Sequence, residues 1–175
     1  MNGFGQCGIS SGDEAFRNVQ FPVVIDSLKG MDITQITGGA HHAIALTSTG
    51  EVLTWGRSES LQCGIDVSTL PDGSIYRDPQ NGKIVAITRP SIIPSIIGAK
   101  VAAGPDTGMI LTPEGVAFSW GFSVSYQTGL GTEMDVLVPT DMTNGATRGK
   151  KMVFGGLGGQ FGLLAGLHEE DERKA

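Results

Sequence analysis

Residues 39–64, GAHHAIALTSTGEVLTWGRSESLQCG, align without a gap on residues 104–129, GPDTGMILTPEGVAFSWGFSVSYQTG. Both stretches contain a Gly turn, then a Trp-Gly pair at Trp55 and Trp120, and finally a Gln-x-Gly at Gln62 and Gln127. Self-similarity at a fixed period indicates a repeat protein, in which each unit buries its apolar face against the next unit. The repeat therefore predicts the fold more strongly than any single motif.

Two partial copies flank the pair. Residues 2–9, NGFGQCGI, match residues 58–65, SESLQCGI, and residues 158–165, GGQFGLLA, match residues 39–46, GAHHAIAL. The chain thus starts at the tail of one repeat and ends partway through another, so we expect it to be part of a larger ring of repeats.

Within a repeat, apolar runs and turn residues alternate closely. Ile33–Thr37 and Ala43–Thr47 predict short strands around a Gly turn, and Thr49-Gly50 predicts a hairpin turn into the strand Val52–Trp55. An extended segment that contains Pro precedes each unit, and Pro suits an edge strand because it lacks a ladder donor. These segments are residues 21–24, 89–92 and 138–140. Four short strands per unit, with no long amphipathic helix, predict an all-β fold, a partial β-propeller of about two to three blades.

The predicted repeat region spans residues 1–167 and is followed by a charged tail at residues 168–175. Its expected parts are a blade tail at residues 1–9, repeats at about 20–66 and 89–131, and a partial closing repeat at 138–167. Residues 66–83 form an insertion rich in Asp, Gly, Pro and Ser. Such an insertion is either a binding loop or a disordered one.

Composition narrows the function class. Twelve Lys and Arg against 18 Asp and Glu give a net charge of -6, which is a poor match for binding nucleic acid by counterion release. The two cysteines form no CxxC pair, so neither a disulfide framework nor a zinc site is indicated. The uncharged stretch from Met152 to Leu167 is shorter than a bilayer span, so no membrane association is expected. No cofactor or metal is expected either.

The opening GFGQCG, residues 3–8, fits the G-x-G-x-x-G template of a dinucleotide-binding turn. That turn requires a strand before the first Gly and a helix after the last. Only two residues precede Gly3, and the copy SLQCG at 60–64 keeps Gln-Cys-Gly while replacing both earlier glycines. The stretch is therefore interpreted as the end of a propeller blade.

These repeats resemble those of the regulator of chromosome condensation family, and the resemblance covers essentially the whole chain. The doubled His at 41–42 and the closing GGQF at 158–161 resemble especially the Ran guanine-nucleotide exchange factors of fungal type. The resemblance implies a seven-bladed ring, of which this chain is the C-terminal part. It also assigns a structural role to one set of repeat positions: Gly39, His42, Gly50, Trp55, Gly56, Gly104, Gly115, Trp120 and Gly121.

The same resemblance places His41 on a surface that faces the GTPase, although an ordinary turn His is an equal alternative. Asp106 and Gln160 occupy the equivalent positions of the next two copies, followed there by Thr107 and Phe161. If these turns face the partner, His41, Asp106, Gln160 and Phe161 form one recognition set; otherwise they are solvated loop residues. Trp55 and Trp120 are expected to pack between sheets, and Cys7 and Cys63 to be small buried residues.

The expected function is nucleotide exchange on a Ran-type GTPase in the nucleus, without covalent chemistry and therefore without an enzyme's catalytic residues. The family resemblance places the exchange wedge and the chromatin- or histone-binding tail in regions that this chain lacks, so its own activity is expected to be weak or absent. A non-catalytic binding scaffold built from the same repeats is the alternative, because fold alone does not fix function. In either case the remaining blades or another chain are expected to complete the ring.

Overall fold

The computed structural model describes residues 1–9 and 18–167, and its regular structure is almost wholly β. The strands of the described residues are β1 (Ile33–Gly38), β2 (His42–Thr47), β3 (Val52–Arg57), β4 (Ile75–Arg77), β5 (Ile84–Ile92), β6 (Lys100–Ala103), β7 (Thr107–Leu111), β8 (Ala117–Gly121), β9 (Val136–Asp141), β10 (Lys151–Leu157) and β11 (Gly162–Leu167). Single turns of 3-10 helix occur at Asp26–Leu28, Val67–Thr69 and Asp72–Ser74. The all-β prediction is confirmed.

Three antiparallel sheets follow one another along the chain. The first has the order β1-β2-β3-β5-β4, the second the order β6-β7-β8-β9, and the third consists of β10 and β11. Each begins with the same meander, in which the Gly turn joins the first two strands and, in the first two sheets, a hairpin leads into the Trp-Gly strand. Two complete blades and one two-stranded sheet match the expected two to three blades.

The Pro-containing strands belong to different sheets from those the repeat alignment predicts. β5 pairs with β3, and β9 pairs with β8, so each such strand completes the sheet of the preceding repeat. The physical reason is that β2 and β7 pair with only one edge of the Trp-Gly strand, and the Pro-containing strand satisfies the N–H and C=O groups of its other edge. Residues 21–24 are not a strand, because residues 1–9 contain no counterpart of β3 for them to pair with.

The prolines themselves lie at irregularities of the ladder. The register between β3 and β5 shifts where Trp55 faces the segment that contains Pro90. The same shift recurs between β8 and β9 at the segment that contains Pro139. A bulge accommodates a residue that cannot donate to the ladder. β4 pairs only with residues 84–87 of β5, so Pro90 lies in the part of β5 that β4 does not cover.

The hydrophobic core lies between successive sheets. All six residues of β2 and all five of β7 are buried, because β2 packs against β6 and β7 packs against β10. One cluster, between the first two sheets, includes Ile44, Leu53 and Ile110, and a second, toward the third sheet, includes Met109 and Met152. Strands covered on both faces lose the polar alternation of a half-exposed strand, as these do.

The insertion at residues 66–83 is ordered rather than an open loop. It contains two of the 3-10 turns and β4, which pairs with the first half of β5. Arg77 lies 3.3 Å from Asp72 across the loop, and Asp78 accepts hydrogen bonds from Gln80 and Asn81. The alternative of a disordered insertion is therefore wrong, while a binding role stays a prediction.

The outermost faces of the described residues carry exposed apolar side chains. Phe21 and Val24 are exposed at one end, and Phe154 and Leu163 at the other. The predicted charged tail at residues 168–175 lies outside the described residues, as do residues 10–17. Completion of the ring by further blades or another chain stays a prediction, as does the division of the repeat region.

The opening GFGQCG forms two successive tight turns. Gly5 N–H donates to Asn2 O, Gly8 N–H donates to Gly5 O, and both glycines have φ of +72°. No strand enters these turns among residues 1–9. Gln6 O accepts a hydrogen bond from the Trp55 indole of the following repeat at 3.0 Å, a contact that fits a blade end, and the assignment of residues 1–9 to a blade end stays a prediction.

Candidate partner-binding surface

The Gly turn has the same geometry in all three sheets. In each, the N–H of the Gly that opens the turn donates to the carbonyl three residues later, at 2.8 to 2.9 Å. The pairs are Gly39 to His42, Gly104 to Thr107 and Gly158 to Phe161. The predicted recognition residues His41, Asp106, Gln160 and Phe161 therefore emerge from equivalent turns.

These turns also touch one another, backbone against backbone. Ala40 N–H donates to Pro105 O at 3.0 Å, which joins the first turn to the second. A Cβ at Gly39 would collide with the carbonyl oxygen of Gly104, and one at Gly104 would lie 3.1 Å from that of Gly158. Close approach of the chains, rather than a special φ, thus requires glycine at the start of the turn. The three turns form one continuous edge of the fold, which we call the turn rim.

His41 is half-buried on the turn rim and lies against Phe4. The two rings meet edge to face, with centroids 5.2 Å apart and planes inclined by 70°. Its Nδ1 atom is buried without a hydrogen-bond partner among the described residues. The backbone of His41 is anchored as well, because its carbonyl accepts the N–H of Arg57 at 2.9 Å.

Asp106, the equivalent of His41 in the next repeat, is half-buried and hydrogen-bonded. Its Oδ1 accepts a hydrogen bond from Gln62 Nε2 at 2.9 Å, and its carbonyl accepts the N–H of Phe122. The carboxylate therefore joins the Gln-x-Gly of one repeat to the turn of the next. Asp106 is thus a loop residue with a hydrogen-bonded carboxylate, and its partner role stays a prediction.

Gln160 and Phe161 complete the set at the third turn and are both exposed. Phe161 leaves 60% of its surface in solvent, and its ring lies over Gly158, where a Cβ would meet it at 2.5 Å. An aromatic ring so exposed on a rim is a candidate contact residue. The structure brings all four predicted residues to the turn rim but leaves their partner role untested.

His42, beside His41 in sequence, points the other way and is buried to 1% exposure. Burial lowers the pKa of His42 to about 4, while the charge of Asp106 and the backbone of Thr107 and Pro105 oppose that shift. The neutral ring packs at the junction of the first two turns, and its role as a structural residue of the repeat stays a prediction.

Each Trp of the Trp-Gly pair is almost fully buried and donates to the preceding repeat. Trp120 Nε1 donates to the carbonyl of Gln62 at 2.9 Å, as Trp55 Nε1 does to that of Gln6. The following glycines have φ near +100°, and a Cβ at Gly56 would lie 2.5 Å from the carbonyl oxygen of His41. The packing prediction is confirmed, and the glycine of the Trp-Gly pair also packs directly against the backbone of the turn rim at His41.

The two cysteines differ in environment. Cys63 is 1% exposed, its Sγ lies 3.1 Å from Arg57 O, and burial raises the pKa of its thiol to about 12. Cys7 is only half-buried, so the prediction of two buried cysteines is wrong for it. The reason is packing: its Sγ lies 3.9 Å from Met1 O, in a contact equivalent to that of Cys63, but no strand of the described residues covers it as β3 covers Cys63.

Sequence reasoning missed Phe4, Arg57 and Glu59. Arg57 stacks its guanidinium 5.2 Å above the Phe4 ring, and its Nε lies 3.1 Å from Glu59 Oε2. A signal existed in the alignment, because Phe4 stands where the other copies have Ser60 and Ser125. An aromatic residue at one copy of a small polar position indicates local specialisation.

Other kinds of site find no support in the part of the chain that the structure describes. That part contains no group of three or more His, Cys, Asp or Glu able to hold a metal ion. Within the same residues, no helix has the length and apolar character needed to cross a membrane.

Successive antiparallel blades, locked by buried Trp and presenting equivalent turns on one rim, define a β-propeller repeat protein. Two family models described as regulator of chromosome condensation (RCC1) repeat match residues 1–46 and 33–62. The chain belongs to this repeat family.

Its relatives include two yeast proteins. Protein pim1 of Schizosaccharomyces pombe is 35% identical over 170 residues, which cover 95% of this chain and 31% of that protein. The guanine nucleotide exchange factor SRM1 of Saccharomyces cerevisiae is 34% identical over 174 residues, which cover 98% and 36%. The chain thus spans about a third of the length of these relatives.

A solved structure has the same fold. The crystal structure of Prp20p from Saccharomyces cerevisiae superposes with a TM-score of 0.82 at 33% identity, covering 99% of this chain and 40% of that one. That structure was reported together with the binding of Prp20p to Gsp1p and histones. The prediction of family and of partial propeller is confirmed.

Proposed function

We propose that this chain supplies part of the GTPase-binding surface of a nuclear guanine-nucleotide exchange factor for a Ran-type small GTPase. The observation that carries the proposal is the turn rim, where His41, Asp106, Gln160 and Phe161 occupy equivalent turns in a chain 34% identical to an exchange factor. The nuclear location rests on the same relationship.

The mechanism is binding without covalent chemistry. An exchange factor accelerates nucleotide release by its greater affinity for the nucleotide-free GTPase, since only differential affinity shifts such an equilibrium. The turn rim offers groups suited to such contacts: an imidazole, a carboxylate held by Gln62, an amide and an exposed phenyl ring. The proposal assigns no histone contact to these residues, whose net charge of -6 is unsuited to binding a phosphate backbone and gives no separate histone site.

The first experiment measures release of fluorescent GDP from a Ran-type GTPase. We expect little acceleration by the 175-residue chain alone, because it covers about a third of its relatives. Acceleration close to that of SRM1 would contradict this expectation.

The second experiment measures binding, with the chain immobilised and the GTPase supplied either nucleotide-free or loaded with GDP. Preferential capture of the nucleotide-free form is expected, and Phe161→Ser and Asp106→Ala should each weaken it. Ile97→Ser, at an exposed position beside the Gly50 hairpin at the opposite end of β2 from the Gly turn, is the matched control. Equal capture of both GTPase forms, or none, would favour the non-catalytic scaffold of the same repeat family.

A further inference from the structure

We propose that Phe4 and Arg57 are positioning residues that hold the His41 ring so that its Nε2 donates a hydrogen bond to an acceptor on the bound GTPase. This inference rests on the proposed function. It goes further by naming the contact atom, the class of group it meets and the residues that orient it.

The His41 ring is held in place by neighbouring side chains. Phe4 lies edge to face with His41 at 5.2 Å and carries the guanidinium of Arg57 at 5.2 Å from its centroid. Glu59, at 3.1 Å from Arg57 Nε, fixes the guanidinium in turn. Aromatic pairs and cation–π contacts of this geometry are specific in orientation, so the four side chains form one ordered stack.

Both ends of this stack are attached to the backbone of the fold by hydrogen bonds. The turn that carries Phe4 is tied to β3, because Gln6 O accepts the Trp55 indole N–H at 3.0 Å. Arg57 is the last residue of β3, and its N–H donates to His41 O at 2.9 Å. The stack thus joins the tail of one repeat to the turn of the next.

The two ring nitrogens of His41 differ in their surroundings, which decides which one carries the proton. His41 Nδ1 is buried with no hydrogen-bond partner among the described residues, whereas the residue as a whole is only half-buried. A buried N–H without an acceptor is costly and rare, so the neutral ring carries its proton on Nε2. A proton on Nε2 makes that atom a hydrogen-bond donor, and its complement on the partner is a carbonyl or carboxylate oxygen.

The stack around His41 has no equivalent at the Asp106 turn of the next repeat. Asp106 holds the equivalent position in the next repeat and is oriented by Gln62 instead, while Ser60 and Phe122 stand in the places of Phe4 and Arg57. Repeat architecture alone therefore does not require the stack. Its specialisation at one turn fits a dedicated contact.

The experiment compares two substitutions of His41 that place an amide at different depths. His41→Gln puts an amide nitrogen near Nε2 and should keep affinity for nucleotide-free GTPase within about threefold, whereas His41→Asn mimics Nδ1 and should lose about tenfold. Phe4→Leu and Arg57→Lys should lose about two- to tenfold, the range expected for one aromatic or cation–π contact. Phe122→Leu is the control for loss of an aromatic ring on the same edge, and it should bind as the parent chain does.

A spectroscopic measurement on the free chain tests the positioning separately. Phe4→Leu should move the carbon-bound proton resonances of the His41 ring, because the edge-to-face Phe ring is removed, and Phe122→Leu should not. Unchanged His41 resonances in Phe4→Leu would overturn the positioning role whatever the GTPase does.

The binding outcomes separate the two proposals. A parent chain that binds, with His41→Asn equal to His41→Gln, overturns the Nε2 contact and leaves the proposed function standing. A parent chain that shows no preference for the nucleotide-free GTPase refutes the proposed function and the contact with it. If Phe4→Leu loses both binding and its dispersed amide spectrum, the variant is unfolded and does not test the positioning role. Arg57→Lys then tests it: a two- to tenfold loss of affinity supports the positioning role, and unchanged affinity overturns it.

Discussion

Trp120→Phe tests the link between successive repeats most directly. Trp120 is fully buried, and its indole N–H donates to the carbonyl of Gln62 at 2.9 Å in a buried hydrogen bond. The substitution keeps an aromatic ring but removes the donor and part of the ring volume. It therefore isolates the contribution of one bond between repeats.

The expected loss of unfolding free energy in Trp120→Phe is the sum of two contributions. An unsatisfied buried carbonyl costs about 1–3 kcal/mol, and a cavity of about 40 Å³ costs ~1 kcal/mol at about 24 cal/mol per Å³. We expect the free energy of unfolding to fall by about 2–4 kcal/mol. Equilibrium unfolding in urea, followed by far-ultraviolet circular dichroism, measures this directly, with an unchanged m-value.

Trp55→Phe is the matched control. Trp55 is 1% exposed but bonds to Gln6, which is only half-buried, so water can reach the freed carbonyl. The expected cost is about 1.5–2.5 kcal/mol, the sum of a net hydrogen bond and the same cavity. A cost for Trp120→Phe below ~1 kcal/mol, or below that of Trp55→Phe, would refute the reasoning.

Three further predictions concern pH, thiol reactivity and backbone geometry. The pKa of His42 is about 4 in the folded chain against 6.5 when unfolded, so the unfolded state binds more protons between these values and stability is lost as pH falls through that window. The contribution should be about 2 kcal/mol between pH 7 and pH 5, measured by urea unfolding at each pH. At pH 8 a thiol reagent should label Cys7 in the folded chain but not Cys63, whose burial raises its pKa to about 12. Gly56→Ala should cost about 1–3 kcal/mol, because φ there is +101° and the new Cβ meets the His41 carbonyl.

Each of these predictions has a control within the chain. His42→Asn should flatten the pH dependence, and His41→Asn should leave it in place. Cys7→Ser should abolish native labelling, and rapid labelling that persists in this variant would contradict the burial of Cys63. Gly73→Ala should be nearly neutral, because no atom lies within 4 Å of its added Cβ and its φ is not positive.

The strands of the meander were predictable because their signals are local. The apolar runs of β1 and β2, the turn at Thr49-Gly50 and the strand ending in Trp55-Gly56 each occupy a few adjacent residues. The partner sheet of the Pro-containing strands was not predictable in this way. Whether β5 joins the sheet before or after it depends on pairing across some 30 residues, including an insertion that itself contributes β4.

For the site, the alignment placed His41, Asp106, Gln160 and Phe161 at one position of the repeat, and the structure brings those turns into contact. The environments of these residues could not be read from the alignment. Gln62 reaches Asp106 over 44 positions, and Phe4 reaches His41 from the previous repeat. Both are contacts between side chains of different repeats, for which one sequence carries no periodic signal.

The all-β repeat architecture follows from the amino-acid sequence alone, because a recurring Gly turn, Trp-Gly and Gln-x-Gly impose the same backbone geometry wherever they occur. The burial and the side-chain contacts of each copy of the repeat depend on the tertiary structure. Stacking of the blades buries His42 and Cys63, leaves Cys7 and Phe161 accessible, and places Phe4 and Arg57 around His41. The physical reason is that burial and side-chain contact depend on the neighbouring repeat, whereas turn geometry depends on the repeat alone.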